Sequence, residues 1–232
     1  MTETPTSSGA GIALWRFVKE VVIILAVALA LSFVVRTFIV QAFYVPSQSM
    51  ENTLMPNDRI LASKLSTRFG GVGRGQIVVF RDPGDWLDDV QKKSPGGVAG
   101  VLEWVGLLPS NTGDDLVKRV IGVGGDHVRC CSTDGRIVLN GVPLTEPYVK
   151  PGRTSDDVRF DVTVPEGRIF VMGDNRNASA DSRYHLDQEQ GTVPEENVVG
   201  RVVLTVWPLS AFSTHPVPAV PFDDPRLDDQ SK

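Results

Sequence analysis

Histidine and cysteine are scarce in this sequence. The 232 residues include three histidines and two cysteines, and the two cysteines, Cys130 and Cys131, are adjacent. Adjacent cysteines cannot join distant segments, and the small ring that a disulfide between them would close is strained. We therefore expect both to be unbonded small residues of a strand. No second group of Cys and His stands at zinc-ligand spacing, so a zinc site is not predicted.

Basic residues are also too few for some functions. Lys and Arg total 23 against 28 Asp and Glu, which gives a formal net charge of -5. Binding to nucleic acid needs a positively charged surface, so we expect no nucleic-acid partner. Apolar residues make up 41% of the chain, which is enough for a folded core. The length suits one domain of ordinary size, or one domain together with a membrane segment.

One long apolar run lies near the N-terminus. Residues 21–35 read VVIILAVALALSFVV, and the stretch continues past Arg36 to Val40. About 20 helical residues cover about 30 Å, the thickness of the hydrocarbon core of a bilayer, if Arg36 extends to the headgroups. A cleaved signal peptide would have a small-x-small site after its apolar core, but bulky residues follow this one. We predict an uncleaved anchor at 18–40 after a short N-terminus at 1–17.

The charges around this run predict an orientation. Arg16 and Lys19 precede it, and Arg36 follows it. The flank richer in basic residues usually stays in the cytoplasm. We therefore expect a single-pass protein of the cell membrane, with a cytoplasmic N-terminus, an extracytoplasmic domain and membrane lipid as a partner. No pattern in the sequence indicates an oligomeric state.

The rest of the chain predicts a mainly β fold. Short Val- and Ile-rich runs are separated by Gly, Pro, Asn and Asp, which favours coiled, mainly antiparallel sheets over 41–210. Asn140-Gly141 predicts a type I′ hairpin turn. Residues 82–115 are expected to form an extended inserted loop, and the Pro-rich, acidic segment 211–232 a disordered tail.

Three histidines offer little for a conventional catalytic triad. His215 lies in the predicted tail, and the sequence has no Gly-x-Ser-x-Gly element. Lys118, in the run DLVKRVIGV, is the other candidate base. On a strand its side chain shares a face with Leu116 and Val120, and loss of water there would lower the pKa of the amine. A neutral amine can accept the proton of a serine hydroxyl, although a lysine that extends to solvent is the alternative from this run alone.

Two polar blocks accompany Lys118. The first, YVPSQSMENTL, begins at Tyr44 shortly after the apolar run, and Ser47 and Ser49 stand two positions apart, so both point the same way in an extended chain. The second, VMGDNRNASADSR at 171–183, alternates acids with arginines. That alternation is typical of a folded loop held by charge-assisted hydrogen bonds.

Taken in order, the anchor, PSQSM, RGQIVVF, VKRVIGVGGD and GDNRNASADSR resemble the type I signal peptidases, or leader peptidases, of bacteria over about residues 18–208. The resemblance implies a Ser-Lys serine endopeptidase that removes signal peptides from exported preproteins after Ala-x-Ala-like sites. It implies no metal and no cofactor. Signal-peptide-bearing preproteins are the expected partners.

The resemblance also assigns roles to residues. It implies Ser49 as the nucleophile and Lys118 as the general base. Ser47 is similar to the residue that completes the oxyanion hole, and Ser179 to the one that orients the lysine amine. The positions that organise the site are Arg119, Asp174, Asp181 and Arg183.

Gln48 departs from the family pattern because it stands between the two serines where the family often has Gly. Its side chain therefore bears on the geometry of the oxyanion hole. Two other functions remain open from the sequence. One is a catalytically silent, membrane-anchored β-domain that binds exported proteins. The other is a self-cleaving protein such as the related stress-response repressors, which the anchor and the lack of a DNA-binding helix pair disfavour.

Overall fold

The Val- and Ile-rich runs pair into two antiparallel sheets, as the sequence predicts. The computed structural model describes residues 8–84, 86–87, 115–152 and 158–228. Most of the inserted loop predicted at 82–115, including VLEWVGLL, lies outside these residues. Within them, an N-terminal helix precedes a mainly β domain.

The apolar run forms a single long helix. Helix α1 spans Ser8–Phe38. Within its apolar part, Ala13–Phe38, the most apolar 18-residue window has a mean hydropathy of 2.6, and none of that window is buried against the domain. The helix is therefore long and apolar enough to cross a membrane. It ends two residues before the limit predicted for the anchor, because Val40 already begins the first strand.

The larger sheet has eight strands among the described residues. The strands are Val40–Tyr44 (β1), Arg59–Ser63 (β2), Ile77–Arg81 (β3), Asp115–Val123 (β4), Arg168–Met172 (β9), Val193–Pro194 (β10), Val198–Trp207 (β11) and Ser213–Thr214 (β12). Their order in the sheet is β1-β2-β11-β3-β4-β9-β10, and β12 pairs with β11 at the side. All pairings are antiparallel.

The smaller sheet follows β4 directly along the chain. It pairs His127–Cys130 (β5) with Ile137–Leu139 (β6) and with Phe160–Thr163 (β8), and Val142–Pro143 (β7) pairs with β6. The turn between β6 and β7 is the one predicted at Asn140-Gly141, and both residues have positive φ, 48° and 81°. This conformation is what a type I′ turn requires.

Among the described residues, two short α-helices accompany the strands. Lys64–Gly70 (α2) follows β2, and Ala219–Phe222 (α3) lies near the C-terminus. Ser63 begins α2 as its N-cap, because its side chain accepts a hydrogen bond from the backbone N–H of Ser66. Short 3₁₀ turns occupy the polar block after β9, at Arg176–Ala178 and Ser182–Tyr184.

Three apolar clusters stabilise the domain. One lies between the smaller sheet and the end of β9, and the other two cover the opposite faces of the larger sheet. Met50 and Leu54 are fully buried in one of these clusters. Burial of a Met or Leu side chain contributes about 1.5–3 kcal/mol to folding, so this cluster fixes the segment that follows Ser49.

The segment predicted to be a disordered tail is ordered over 211–228, so that expectation was wrong. Leu227 is fully buried in the cluster beside the smaller sheet. Its carbonyl accepts a hydrogen bond from the Asn140 side chain, and Asp228 pairs with Arg74, which also binds Asp126. A buried leucine and a shared arginine hold the segment on the domain despite its proline and acidic content.

The expectation of two unbonded cysteines was also wrong. Cys130 and Cys131 are joined by a disulfide at the end of β5. Cys130 is buried with the apolar cluster of the smaller sheet, and Cys131 packs against it. The pair therefore acts as one small, apolar unit of this cluster.

Candidate active site

Strand β4 places two neighbouring cationic side chains on opposite faces of the larger sheet. In its pairing with β3, Lys118 lies opposite Val78, and Arg119 lies opposite Ile77. Leu116 and Val120 pack in one apolar cluster on the face of Lys118, as the strand alternation predicts. Both cationic residues are buried, with 3% and 2% of their surfaces exposed.

Ser49 sits in the turn between β1 and β2. Its neighbour Met50 is buried in the core. The carbonyl of Ser49 accepts a hydrogen bond from the backbone N–H of Asn175. The Asn175 side chain donates to the carbonyl of Gln48 in the same turn. These two contacts join the serine segment to the polar block that follows β9, although Asn175 is 126 residues after Ser49 in the sequence.

The Ser49 hydroxyl meets the Lys118 amine. Lys118 Nζ lies 3.1 Å from Ser49 Oγ and 3.1 Å from the carbonyl oxygen of Val117. Burial lowers the pKa of the Lys118 amine from 10.5 to about 8, and the Asp181 charge offsets only part of this effect. About a tenth of the amine is therefore neutral at pH 7, and the amine lies at hydrogen-bond distance from a hydroxyl.

Ser47 lies beside Ser49, as their spacing predicts. The two hydroxyl oxygens are 3.1 Å apart, and Ser47 is exposed whereas Ser49 is 6% exposed. The Gln48 side chain is exposed between them. The three residues therefore present two hydroxyls toward one side of the turn, with the amine of Lys118 behind Ser49.

The opposite face of β4 carries an ion pair. Arg119 binds the Asp174 carboxylate through two nitrogens, at 2.8 and 2.6 Å, and donates a third hydrogen bond to the carbonyl of Gly75. Its guanidinium also lies 4.1 Å from the centre of the Tyr148 ring. Thr53 donates to Asp174, so this pair also holds the segment after Ser49. Arg119 and Asp174 thus join three parts of the chain.

A second ion pair shapes the loop after β9. Arg183 binds the Asp181 carboxylate through two nitrogens, and the same carboxylate accepts the backbone N–H of Gly173. Burial alone would raise the pKa of Asp181, but the hydrogen bond and charge of Arg183 lower it below its usual value. Asp181 is therefore a permanent carboxylate, and it is the charge that partly opposes the pKa shift of Lys118.

Ser179 is close to the site but does not bind the lysine. Its hydroxyl oxygen is buried near the Asp181 carboxylate, whose pKa it helps to lower, but it forms no well-aligned hydrogen bond with the described residues. It stands against Gly173, where an added Cβ would overlap both Ser179 Oγ and the carbonyl oxygen of Ser49. The hydrogen bond from Ser179 to the Lys118 amine that the resemblance implies is absent from the described part of the chain.

Other supporting residues were not predicted from the sequence. Arg176 binds Glu146 through two nitrogens and donates to the carbonyl of Gly173. Position 173 requires glycine because a side chain there would overlap Ser179 and the Ser49 carbonyl. Asn175 joins the loop to the serine segment through its backbone N–H. The alternation of acids and arginines indicated such pairs, but the partner Glu146 stands in another region of the sequence, so no local pattern identifies it.

Known proteins resemble this chain over most of its length. The family model of signal peptidases, peptidase S26, matches residues 14–207. A probable signal peptidase I of Mycobacterium leprae is 38% identical over 86% of this chain and 78% of its own length. A signal peptidase I of Mycobacterium tuberculosis, strain CDC 1551 / Oshkosh, is 40% identical over 84% of this chain and 74% of its own.

A solved signal peptidase I of Enterococcus faecalis V583 is 27% identical, with a TM-score of 0.36, and the alignment covers 56% of this chain and 95% of that one. The matched region of the family model contains most of α1, the serine segment, β4 and the loop after β9. The proteins that match are named signal peptidase I, which is a serine endopeptidase. This chain belongs to the signal peptidase family, peptidase S26.

Proposed function

We propose that this chain is a membrane-anchored Ser-Lys endopeptidase that removes signal peptides from exported preproteins. The observation that carries the proposal is the contact of 3.1 Å between Lys118 Nζ and Ser49 Oγ, made by a lysine that is 3% exposed. An amine with a pKa of about 8 can hold and release a proton near neutral pH. A lysine of ordinary pKa at this position would remain charged and could not accept the serine proton.

The proton transfer starts the reaction. Neutral Lys118 takes the hydroxyl proton of Ser49, and Ser49 Oγ attacks the carbonyl carbon of the scissile peptide bond. The protonated amine then gives its proton to the leaving amine, which departs as the new N-terminus of the mature protein. Lys118 next deprotonates a water molecule, which hydrolyses the ester on Ser49 and releases the signal peptide.

The oxyanion formed during attack needs donors. The backbone N–H of Ser49 and the hydroxyl of Ser47 are the two groups that we assign to this role, since the Ser47 oxygen lies 3.1 Å from the nucleophile. One such donor contributes about 3 kcal/mol to stabilisation of the transition state. Exposure of Ser47 leaves its hydroxyl free to turn toward a bound substrate.

The ion pairs position these groups without touching the substrate. Arg119 with Asp174 and Arg183 with Asp181 fix the loop whose Asn175 holds the carbonyl of Ser49. Ser179 fills the space between Gly173 and the serine segment. We assign Ser179 to the orientation of the lysine amine, a contact that would form when the amine turns away from Ser49 after taking its proton.

The anchor places the site where its substrate emerges. Helix α1 ends at Phe38, eleven residues before Ser49, so the nucleophile stays within a short distance of the bilayer if α1 crosses it. A signal peptide in the same bilayer brings its cleavage site to that zone, which raises the effective concentration of the bond to be cut. We assign the N-terminus to the cytoplasm and the domain to the outer side, with cleavage after Ala-x-Ala-like sites as in the family.

Cleavage of a preprotein tests this proposal. Wild-type protein in detergent is incubated with a preprotein that has one small-x-small site, beside the variants Ser49→Ala and Lys118→Ala. We expect the wild type to cut once at that site and each variant to lose about 10⁴-fold or more in turnover. The exposed variant Arg129→Ala serves as the matched control and should retain normal turnover.

Normal processing by Lys118→Ala would contradict the assignment of the base. Processing by the wild type and by Lys118→Ala, but not by Ser49→Ala, would support Ser49 as the nucleophile and exclude Lys118 as its base. A wild-type protein that binds the preprotein without cutting it would favour a catalytically silent binding domain.

A further inference from the structure

Helix α2 is fixed against the membrane end of α1. The backbone N–H of Lys64, its first residue, donates to the carbonyl of Ile39 at 2.9 Å, and Lys64 Nζ donates to the carbonyl of Arg36 at 3.2 Å. The helix is seven residues long and contributes no buried side chain to the core. It therefore lies at the level where α1 leaves its apolar span, with its side chains outside the domain interior.

Cationic side chains cluster at this junction. The pKa of Lys64 is lowered, first by burial and then by the positive charges of Arg36, Arg81 and Arg68. Among the described residues, Arg36, Lys64 and Arg68 form no ion pair, and Arg36 Nη1 is buried without a hydrogen-bond partner. The charges of Arg36 and Arg68 both repel that of Lys64, and the Asp115 carboxylate offsets only part of this repulsion. An anion bound beside these cations would therefore lower the free energy of the cluster.

A small cavity of about 260 Å³ opens beside the cluster. Lys64 and Arg68 line it together with Thr37, which belongs to the last turn of α1, and with Thr67. The carboxylates of Glu195 and Glu196 also line it. The hydroxyls and cations are donors suited to phosphate oxygens, whereas the two carboxylates repel an anion that approaches them. A phosphate group would therefore bind on the side of the cavity formed by α2, next to the cations.

Two apolar side chains of α2 are exposed beside its basic ones. Phe69 is 81% exposed and Leu65 is 37% exposed, and they stand four residues apart, as Lys64 and Arg68 do. Positions four apart share one face of a helix, so α2 carries a basic stripe next to an apolar stripe. This arrangement is typical of helices that lie in the headgroup region, with the apolar side chains toward the acyl chains.

We propose that α2 and Arg36 bind the phosphate of a phospholipid headgroup in the membrane that α1 enters. Lys64, Arg68 and Arg36 hold the phosphate oxygens, and Leu65 and Phe69 lie among the first acyl carbons. The lipid is the occupant because the hydrogen bonds from Lys64 set the site at the end of the apolar span. The inference rests on the proposed membrane anchor, and it concerns a surface distinct from Ser49 and Lys118. A bound lipid would fix the height of the domain above the bilayer.

Retained lipid tests the basic part of the site. The full chain is purified in detergent with equal amounts of phosphatidylglycerol and a phosphate-free galactolipid, and bound lipids are counted by native mass spectrometry. We expect wild-type protein to retain phosphatidylglycerol in preference, and the variant Lys64→Gln/Arg68→Gln to lose about fivefold in retention for each cation removed. The variant Arg129→Gln/Arg136→Gln, which removes the same charge from the smaller sheet, should behave as wild type.

Crosslinking tests the apolar part. A photoreactive benzoylphenylalanine at position 69 should crosslink to lipid in phosphatidylglycerol vesicles, and the same group at the exposed position 184 should not. Equal retention of both lipids by wild type and by Lys64→Gln/Arg68→Gln would overturn the headgroup site, as would the absence of lipid crosslinks at position 69. Neither readout uses proteolysis, so failure of the peptidase assay and failure of this proposal are separate results.

Discussion

The two faces of β4 each bury a cationic side chain, but they surround it with different partners. On one face Arg119 is bound by the Asp174 carboxylate at 2.8 and 2.6 Å. On the other face Lys118, the preceding residue, has for partners a serine hydroxyl and a backbone carbonyl, and no carboxylate among the described residues is within ion-pair distance of its amine. The two side chains are equally buried, so the difference lies in their partners.

This difference explains why one cation is structural and the other is suited to chemistry. A carboxylate at hydrogen-bond distance compensates the burial of the guanidinium, so Arg119 and Asp174 hold the chain together as a structural ion pair. A hydroxyl and a carbonyl do not compensate the burial of a charge, so the pKa of the Lys118 amine falls to about 8. Asp181 is the carboxylate whose charge raises the pKa of Lys118, and its ion pair with Arg183 weakens that effect.

Removal of the structural cation should have the largest effect on folding. In Arg119→Met the Asp174 carboxylate stays buried without its partner, and we expect the free energy of unfolding to fall by about 3–5 kcal/mol. Urea denaturation of the detergent-solubilised chain, followed by tryptophan fluorescence, measures this loss. Arg129→Met, on an exposed position, should change the same quantity by no more than about 0.5 kcal/mol. Equal losses in both variants would contradict the structural role of the pair.

Removal of the other cation should stabilise the fold. The Lys118 pKa falls on folding from 10.5 to about 8, so below pH 8 the folded state carries the full cost of the buried charge, about 3 kcal/mol at 1.36 kcal/mol per unit. Lys118→Met should therefore raise the free energy of unfolding by about 2–3 kcal/mol at pH 7. The gain should shrink as the pH rises from 8 to 10, because the lysine is then neutral in the folded state and increasingly so in the unfolded state.

The control for this variant is Ser49→Ala, which removes the same hydrogen bond and keeps the amine. It should show no such gain at pH 7. A loss of stability in Lys118→Met that is independent of pH would mean that the buried amine does not carry the cost described here.

A carboxylate introduced beside Ser49 should make the two faces alike. In Ser179→Asp a negative charge in the loop near the lysine should raise the Lys118 pKa. We expect the rising limb of the pH–rate profile of kcat/KM to move upward by about one unit, with about tenfold lower activity at pH 7. Ser179→Asn provides the same bulk without the charge. An unmoved profile in Ser179→Asp, or an equal displacement in Ser179→Asn, would contradict the electrostatic argument.

The sequence predicted those features that depend on neighbours along the chain. Strand alternation placed Lys118 on one face with Leu116 and Val120, and in the structure Lys118 is buried on that face. The spacing of Ser47 and Ser49 predicted hydroxyls on one side, and the structure has them 3.1 Å apart. Asn140-Gly141 predicted the hairpin turn. For Lys118 the period of a strand is enough, and for Asn140-Gly141 the φ preference of the two residues is enough. Ser47 and Ser49 lie in a turn and not on a strand, so their two-residue spacing brings the hydroxyls together without the strand geometry assumed from the sequence.

Features that depend on distant partners were not predictable in this way. The composition of 211–228 predicts a disordered tail, but in the structure Leu227 is buried in the core and Asp228 pairs with Arg74. Composition alone does not indicate that the smaller sheet offers an apolar cluster for Leu227. The same holds for the pairing of Arg176 with Glu146, 30 residues apart, and for Gly173, whose need for hydrogen in place of a side chain arises from the packing of Ser179 and Ser49.

The charge state of the Lys118 amine tests the central claim most directly. Lysine ¹³Cε and ¹⁵Nζ resonances of the folded, detergent-solubilised chain are followed by NMR from pH 6 to pH 11, and the signal missing from Lys118→Met identifies the residue. The account predicts a titration midpoint of about 8 for Lys118. A midpoint near 10.5, where an ordinary lysine titrates, would show that the amine stays charged at neutral pH and would contradict its assignment as the general base.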